Sequence, residues 1–422
     1  MNVKSRPALS SLKLNQAEPR QFCTDCGVSR SSEPKACGRA CQFLSPDYDE
    51  MDLKTHGRKR DCDPSDESYF GVFQAMYRAR LSSPKHGAQW TGITTRLGER
   101  LLETGLVDGV LTVVPDPEDR WKPVPVVITD PKDMSKARGM RMGFAPTLAL
   151  IEPALKAGYR RLALISIPCQ TYAVRALQSK LDLEALYVIG TPCSDNTTTE
   201  NFHQFLRLLS DTPEQISYLE FRADYHVELR FDSGRVQTIP FLELPISELP
   251  ADFFPMTCRT CVDYTNTLSD ITIGYMGGEG DQWLIVRNDT GAKLLELLRD
   301  EIELQEPRSR GNRRRAVKGF QLNTERAAGG LPIRSMPNCV RPIVARLMPI
   351  IGPKGLEFAR ARVEMKAIES ILYLRAKAPR HVRAIVPAHI WRLAQKYDLN
   401  PAESEMAKSM KDAIEPTQHK PQ

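Results

Sequence analysis

Between Gln89 and Leu209 the apolar positions alternate between two spacings. WTGITTRLGERLLETG carries the spacing of a helix and ends at Gly105, a residue suited to the turn that closes helices. VDGVLTVV and PVPVVIT read as short strands, and APTLALIEPALKAG is helical up to Gly158. RRLALISIP, CQTYAVRALQSKL, LEALYVIGTP and TTENFHQFLRLL repeat the strand–helix order. Strands separated by helices of about ten residues or more predict crossover units and a mainly parallel sheet. The expected class is α/β, with ligands at the carboxyl ends of the strands.

From Ile216 the period falls to two. ISYLEFR, YHVELRF and VQTIPFL, the last two separated by Ser233-Gly234, predict an antiparallel meander. SDITIGYMG and QWLIVRN add two strands, and AKLLELLRDEI a helix. The arginine run RSRGNRRR from Arg308 reads as a mobile, solvated loop. The remainder is mainly helical, with a polar tail after Ala402. The first eighty or so residues have weak periodicity and abundant Cys, Asp, Arg and Pro, as expected of a loop-rich module that needs a staple. These changes divide the chain into residues 1–84, 85–215, 216–306 and 307–422. No internal repeat is visible.

Composition adds limits. The chain has 422 residues, of which 41% are hydrophobic and 26% charged, enough to bury a core. Its net charge of +6 suits acidic small molecules or an acidic electron-donor protein as well as nucleic acid. The N-terminus lacks the apolar run of a secretory signal, which predicts a cytoplasmic protein; its Ser, Lys and Arg content allows a short transit peptide and a plastid stroma instead. No segment reaches the roughly 18 apolar residues of a membrane span. VRPIVARLMPIIG, from Val340, is shorter and broken by arginines and prolines; it reads as a buried helix or turn, with a membrane surface or an interface between copies as alternatives.

The cysteines carry the chemistry. Ten are too few for a secreted disulfide scaffold, so pairs read first as metal or redox ligands. Cys23, Cys26, Cys37 and Cys41 form Cys-x-x-Cys, ten residues, Cys-x-x-x-Cys. Cys169 and Cys193 each follow a predicted strand at equivalent positions, and Cys258 and Cys261 form a further Cys-x-x-Cys. A parallel sheet would bring Cys169 and Cys193 side by side, with the Cys-x-x-Cys closing over them. Four thiolates suit zinc or a 4Fe–4S cluster; buried hydrophobic packing is the plain alternative for the two single cysteines. Cys62 and Cys339 have no partner in sequence. No His-Glu-x-x-His and no phosphate-loop motif occurs, and GYMGGEG opens no clear helix.

GAQWTGITTRLGERLLETGLVDGVLTV, IPCQTYAVRAL, IGTPCSDNTTTENF and TCRTCVDYTNTLSDITIGYMG together resemble the beta subunit family of deazaflavin-reducing hydrogenases and dehydrogenases. The N-terminal cysteines and IGPKGLEFAR resemble more narrowly its chlorophyll-pigment reductases, over roughly residues 20 to 375. The resemblance implies an iron–sulfur flavoprotein with FAD and two 4Fe–4S clusters. One cluster would use Cys169, Cys193, Cys258 and Cys261. The other would use Cys23, Cys26, Cys37 and Cys41, with Ser29 standing where relatives often have a cysteine. FAD would contact Gln89, Trp90, Thr91 and Gly92; Asn196, Thr197 and Thr198; and Gly274, Tyr275 and Gly277. Helix starting and capping are the alternative uses of the first two groups.

The implied partners are reduced ferredoxin and a chlorophyllide-type pigment. The first expected activity is reduction of the 8-vinyl group of divinyl (proto)chlorophyllide. Reduction of 7-hydroxymethyl chlorophyll a comes second and a deazaflavin-linked reaction third. Asp195 is the expected proton donor, the arginines Arg313, Arg314 and Arg315 a dock for ferredoxin, and a homo-oligomer the expected assembly. A zinc-stapled nucleic-acid binder is disfavoured, because aromatics make up only 7% of residues and do not interleave with the basic run.

Overall fold

In the computed structural model, which describes residues 22–63, 65–222, 224–274 and 281–406, the apolar runs form one eight-stranded sheet and one three-stranded sheet. The strands are β1 (Ala75–Leu81), β2 (Gly109–Pro115), β3 (Pro123–Ile128), β4 (Arg161–Ser166), β5 (Ala185–Gly190), β6 (Ile216–Phe221), β7 (His226–Phe231), β8 (Val236–Pro240), β9 (Ile271–Gly274), β10 (Gln282–Val286) and β11 (Ile302–Gln305). The large sheet has the order β11-β1-β10-β9-β5-β4-β2-β3. Its centre is parallel, through the pairings β2–β4, β4–β5 and β5–β9. Antiparallel strands flank that centre on both sides.

The principal helices are α1 (Tyr48–His56), α2 (Ile93–Glu103), α3 (Pro168–Leu177), α4 (Thr199–Leu209), α5 (Asp289–Glu296), α6 (Arg313–Ala327), α7 (Arg341–Ile351), α8 (Leu356–Lys377) and α9 (Ala388–Gln395). Both faces of the parallel centre are covered, which is why β4 reads as a continuous apolar run. Ile93, Leu97 and Leu101 of α2 pack on Val110, Ala163, Ile189 and Ile273. Ala173 and Val174 of α3 pack on Leu111, Leu162, Leu164 and Val188 on the other face. The meander β6–β8 packs Leu219, Val227 and Leu229 against Phe202, Phe205 and Leu206 of α4.

Several expectations change. β9 and β10 join the large sheet, and β1, unseen in the weakly periodic N-terminal region, pairs with β10 and β11. The arginine run is no loop: Ser309–Arg310 pairs with Lys354–Gly355, and α6 begins at Arg313 with the Asn312 side chain accepting from Arg314 N–H (3.0 Å). VRPIVARLMPIIG is indeed helical, yet one side of α7 stands in solvent, contrary to its reading as a buried segment.

Candidate functional site

The parallel strands place the thiols. Pro168, with no N–H to lose, opens α3 directly after β4 and sets Cys169 in its first turn. Cys193 follows β5, the neighbouring parallel strand, and its N–H donates to the Tyr264 carbonyl (3.0 Å). Cys258 lies in the short turn Met256–Arg259, and the Cys261 N–H donates back to its carbonyl (3.2 Å). Burial pushes the Cys258 thiol up to about 12 and Cys261 up to about 11. Cys169 and Cys193 are driven well above the usual thiol range, first by burial and then by neighbouring thiols: Cys26, Cys261 and Cys258 for Cys169, and Cys258, Cys169 and Cys261 for Cys193.

The N-terminal thiols form a second group pressed on the first. The Leu148 N–H donates to the Cys26 carbonyl (3.0 Å). Gly27 has φ 109°, and a Cβ there would sit 2.4 Å from the Ala149 nitrogen. Burial pushes Cys26 up to about 12 and Cys41 up to about 11, with Cys37 and Cys23 adding to both. Two side chains bridge the groups. Gln42 Nε2 donates to Cys261 Sγ (3.4 Å), and the Thr24 hydroxyl hydrogen-bonds Cys169.

All ten cysteines lie among the described residues and none is in a disulfide. Among those residues no group of three His, Cys, Asp or Glu side chains could hold a single metal ion. Four thiols gathered at the strand ends match the donor set of a four-iron cluster as well as that of zinc. A thiolate is tolerable in such burial only when a metal shares its charge.

A cavity of about 1100 Å³ opens beside these strand ends, and Cys169 and Cys193 lie in its wall. Gln89, Trp90, Gly92, Asn196 and Gly274 also line it. Tyr275 and Gly277 lie outside the described residues. The three threonines are engaged in holding the fold. Thr91 Oγ1 donates to Gln282 Oε1 (3.0 Å), the Thr197 hydroxyl donates to the Phe253 carbonyl, and Thr198 caps α4 by accepting from Asn201 N–H (3.2 Å). The Asn196 amide clamps the opposite loop, accepting from Gly143 N–H (3.1 Å) and donating to Gly143 O (2.8 Å).

That loop supplies residues the sequence did not single out. Arg138 and Arg141 line the cavity, and the Nε of each is buried without a hydrogen-bond partner. The other Arg141 donors reach only the carbonyls of Met140 (2.8 Å) and Arg138 (3.1 Å), and burial lowers its pKa. Among the described residues no carboxylate pairs with Arg141, so its charge faces the cavity uncompensated. An anionic group such as a cofactor diphosphate fits there.

The far wall comes from α8. Lys366 Nζ donates to Asp195 Oδ1 (2.7 Å) and Glu369 Oε2 (3.3 Å), while Arg259 Nε donates to Glu369 Oε1 (2.8 Å). Burial raises the Asp195 carboxyl to about 6, against the opposing pull of Lys366. Arg362 Nη2 donates to Ser194 Oγ (2.6 Å). Much of the remaining wall is apolar, including Phe205, Phe241, Phe254, Met336, Met348 and Phe358, with Arg222, His226, Asn312 and Asn323 as polar members. Of the arginine run, Arg315 lines the cavity, whereas Arg313 is spent on Glu357 (2.7 Å), Glu364 (3.0 Å) and the Tyr69 hydroxyl (2.8 Å).

Comparison with known proteins agrees with this architecture. The family described as coenzyme F420 hydrogenase/dehydrogenase, beta subunit, matches with its N-terminal part over residues 76–152 and with its C-terminal part over residues 159–310. An uncharacterized protein of Nostoc sp. is 36% identical over 92% of this chain and 97% of its own length. The chloroplastic 7-hydroxymethyl chlorophyll a reductase of Oryza sativa subsp. japonica is 34% identical over 90% of this chain and 83% of its own. Among solved structures, a chain of the F420-reducing [NiFe] hydrogenase complex from Methanosarcina barkeri shares the fold, with TM-score 0.51, 22% identity and coverage of 58% of this chain and 84% of that one.

Proposed function

Because the chain belongs to the coenzyme F420 hydrogenase/dehydrogenase beta subunit family of oxidoreductases, we propose that it is a ferredoxin-dependent iron–sulfur flavoprotein that reduces a peripheral substituent of a chlorophyll-type pigment. One observation carries the reading. Two adjoining groups of four thiols end at a cavity of about 1100 Å³ that is cationic at one side and aromatic at the other. Cys169, Cys193, Cys258 and Cys261 would hold one 4Fe–4S cluster, and Cys23, Cys26, Cys37 and Cys41 a second. When bound, the clusters supply single electrons and FAD gathers two for reduction of the substituent.

The residues of the chain do the rest. Arg138 and Arg141 would neutralise the FAD diphosphate, and the Gln89–Gly92 turn would let its backbone approach the cofactor. The apolar wall would seat a flat macrocycle and exclude water from it. Asp195, held in the wall by Lys366, would give a proton to the reduced substituent. The basic surface would steer an acidic ferredoxin; Arg314 and Arg315, both exposed, can take part, whereas Arg313 is committed inside the fold.

The 8-vinyl group of divinyl (proto)chlorophyllide is the substrate favoured by overall resemblance, since the motifs are common to both pigment activities. The rice relative favours a second reading, the 7-hydroxymethyl group of chlorophyll a. Anaerobically purified protein should carry about eight irons and one flavin per chain. Given reduced ferredoxin, it should convert one of the two pigments; the product mass decides which. A protein with zinc and no iron, or one inert toward both pigments when fully loaded, would overturn the proposal.

A further inference from the structure

The two thiol groups meet through residues that directly follow cysteines of the N-terminal set. Thr24 comes after Cys23, and its hydroxyl hydrogen-bonds Cys169. Gln42 comes after Cys41, and its Nε2 donates to Cys261 Sγ (3.4 Å). Both side chains are buried. A deprotonated sulfur that ligates a metal can only accept, so the Thr24 hydroxyl and the Gln42 amide are then the donors. Each hydrogen bond runs from the N-terminal module to a sulfur of the core.

The Gln42 amide is held from behind. The Tyr48 hydroxyl donates to Gln42 Oε1 (3.2 Å), which leaves Nε2 toward the sulfur; a flipped amide would set its oxygen against a thiolate, acceptor against acceptor. Tyr48 opens α1 and is itself fixed. Its ring meets those of Tyr172 and His389 edge-on, each with its centroid 5.5 Å away, and Arg60 Cζ lies 5.5 Å from the Tyr48 centroid. Arg60 is locked in turn by a buried ion pair to Asp52 (2.6 Å). Tyr172 stands about one turn after Cys169 on α3, and its hydroxyl accepts from Asp47 N–H (3.0 Å). The module is thus clamped to the core where its two donors reach the sulfurs.

We propose that Thr24 and Gln42 are positioning residues through which the N-terminal module sets the reduction potential of the centre held by Cys169, Cys193, Cys258 and Cys261; this rests on the iron–sulfur reading above. One electron, from the reduced ferredoxin of that reading or from dithionite in an assay, adds one unit of negative charge that the sulfurs share. No bond to either residue forms or breaks, and no proton moves. Both donors hold the more negative form more tightly and so raise the potential. The backbone at Asn196 and Asp263 hydrogen-bonds Cys258 and Cys261 from within the core. The two side chains are therefore the share of the tuning that arrives with the N-terminal module, and the core centre reaches its working potential once that module is docked.

The test is an anaerobic redox titration of the full-length holoprotein, followed by electron paramagnetic resonance, with iron and flavin assayed on each sample. Cys261→Ser, by altering or removing one signal, identifies the step that belongs to the core. Thr24→Val together with Gln42→Leu should make that step about tenfold harder to reduce, a fall of about 59 mV for one electron. Each single variant should contribute part of the fall, and Thr24→Ser, which keeps the hydroxyl, should titrate as the wild type. Full iron with an unchanged core midpoint in both single variants and in the double variant would overturn this inference and leave the cluster reading standing. Iron lost from all three would also overturn it, since the two residues would then be structural. A wild type without iron would overturn the cluster reading and this inference with it.

Discussion

His56 closes α1 and fastens the N-terminal module to the large sheet, and its protonation should release that fastening. Its Nε2 lies 2.9 Å from the Thr267 carbonyl, which only accepts, so Nε2 carries the hydrogen. Its Nδ1 faces Asn288 Nδ2 at 3.4 Å. The orientation of that amide is fixed, since its oxygen accepts from Gly291 N–H (2.9 Å) and its nitrogen donates to Asp270 Oδ1 (2.9 Å). Nδ1 must therefore stay an acceptor. Burial, then the charge of Arg287, lowers the pKa from 6.5 to about 3. The folded state thus binds fewer protons than the unfolded state between these values. Stability from this group is complete above pH 6.5 and falls by about 1.4 kcal/mol per unit below it.

His56→Gln removes the titration while leaving a donor for Thr267. At neutral pH the variant should be the less stable protein; by pH 5 the gap should have narrowed by about 2 kcal/mol, the integral of that slope over the interval. Urea denaturation followed by circular dichroism at several pH values, with iron content matched, measures the gap. Acid lability of any bound iron would be common to both proteins and cancels in the comparison. A gap that stays constant from pH 7.5 to pH 5 would refute the assignment of a neutral His56.

Lys366→Met leaves Asp195 without its cation in a buried wall, while Glu369 keeps Arg259; denaturation should show a loss of about 3–5 kcal/mol, and Lys366→Met with Asp195→Leu should recover part of it. Gly27→Ala drives a Cβ into the backbone at Ala149 and Pro146, so, if the proposed N-terminal cluster is present, iron analysis should show about half the iron lost while flavin is retained. Arg141→Gln removes the uncompensated cation of the cavity; flavin should dissociate at least about tenfold more readily in a fluorescence titration, with iron unchanged.

The strand–helix alternation from Gln89 to Leu209 was legible because both faces of β4 and β5 are covered, so burial wrote itself into contiguous apolar runs. The placing of Cys169 and Cys193 followed from equivalent strand ends. β1 was not legible. Its Arg78 is buried against Asp281, and its partners β10 and β11 lie some two hundred residues away, so no local pattern announces it. Charge is a poor guide at two places. Lys366 and Glu369 have the chemistry of solvated helix residues but are sealed by one another and by Arg259. Arg313 sits in a run that looks exposed, yet α8 supplies it with two carboxylates. Arg141 carries no motif at all; its signal is an empty guanidinium face, which exists only once the loop is folded.

α8 and α7 lie beyond residue 310, where the match to the family ends. The part of the molecule shared with the hydrogenase proteins carries the Cys169, Cys193, Cys258 and Cys261 set and the turns beside it; the appended part supplies the wall opposite. Exchange of that appended segment alone would therefore change the shape and chemistry of the opposite wall while leaving Cys169, Cys193, Cys258 and Cys261 in place.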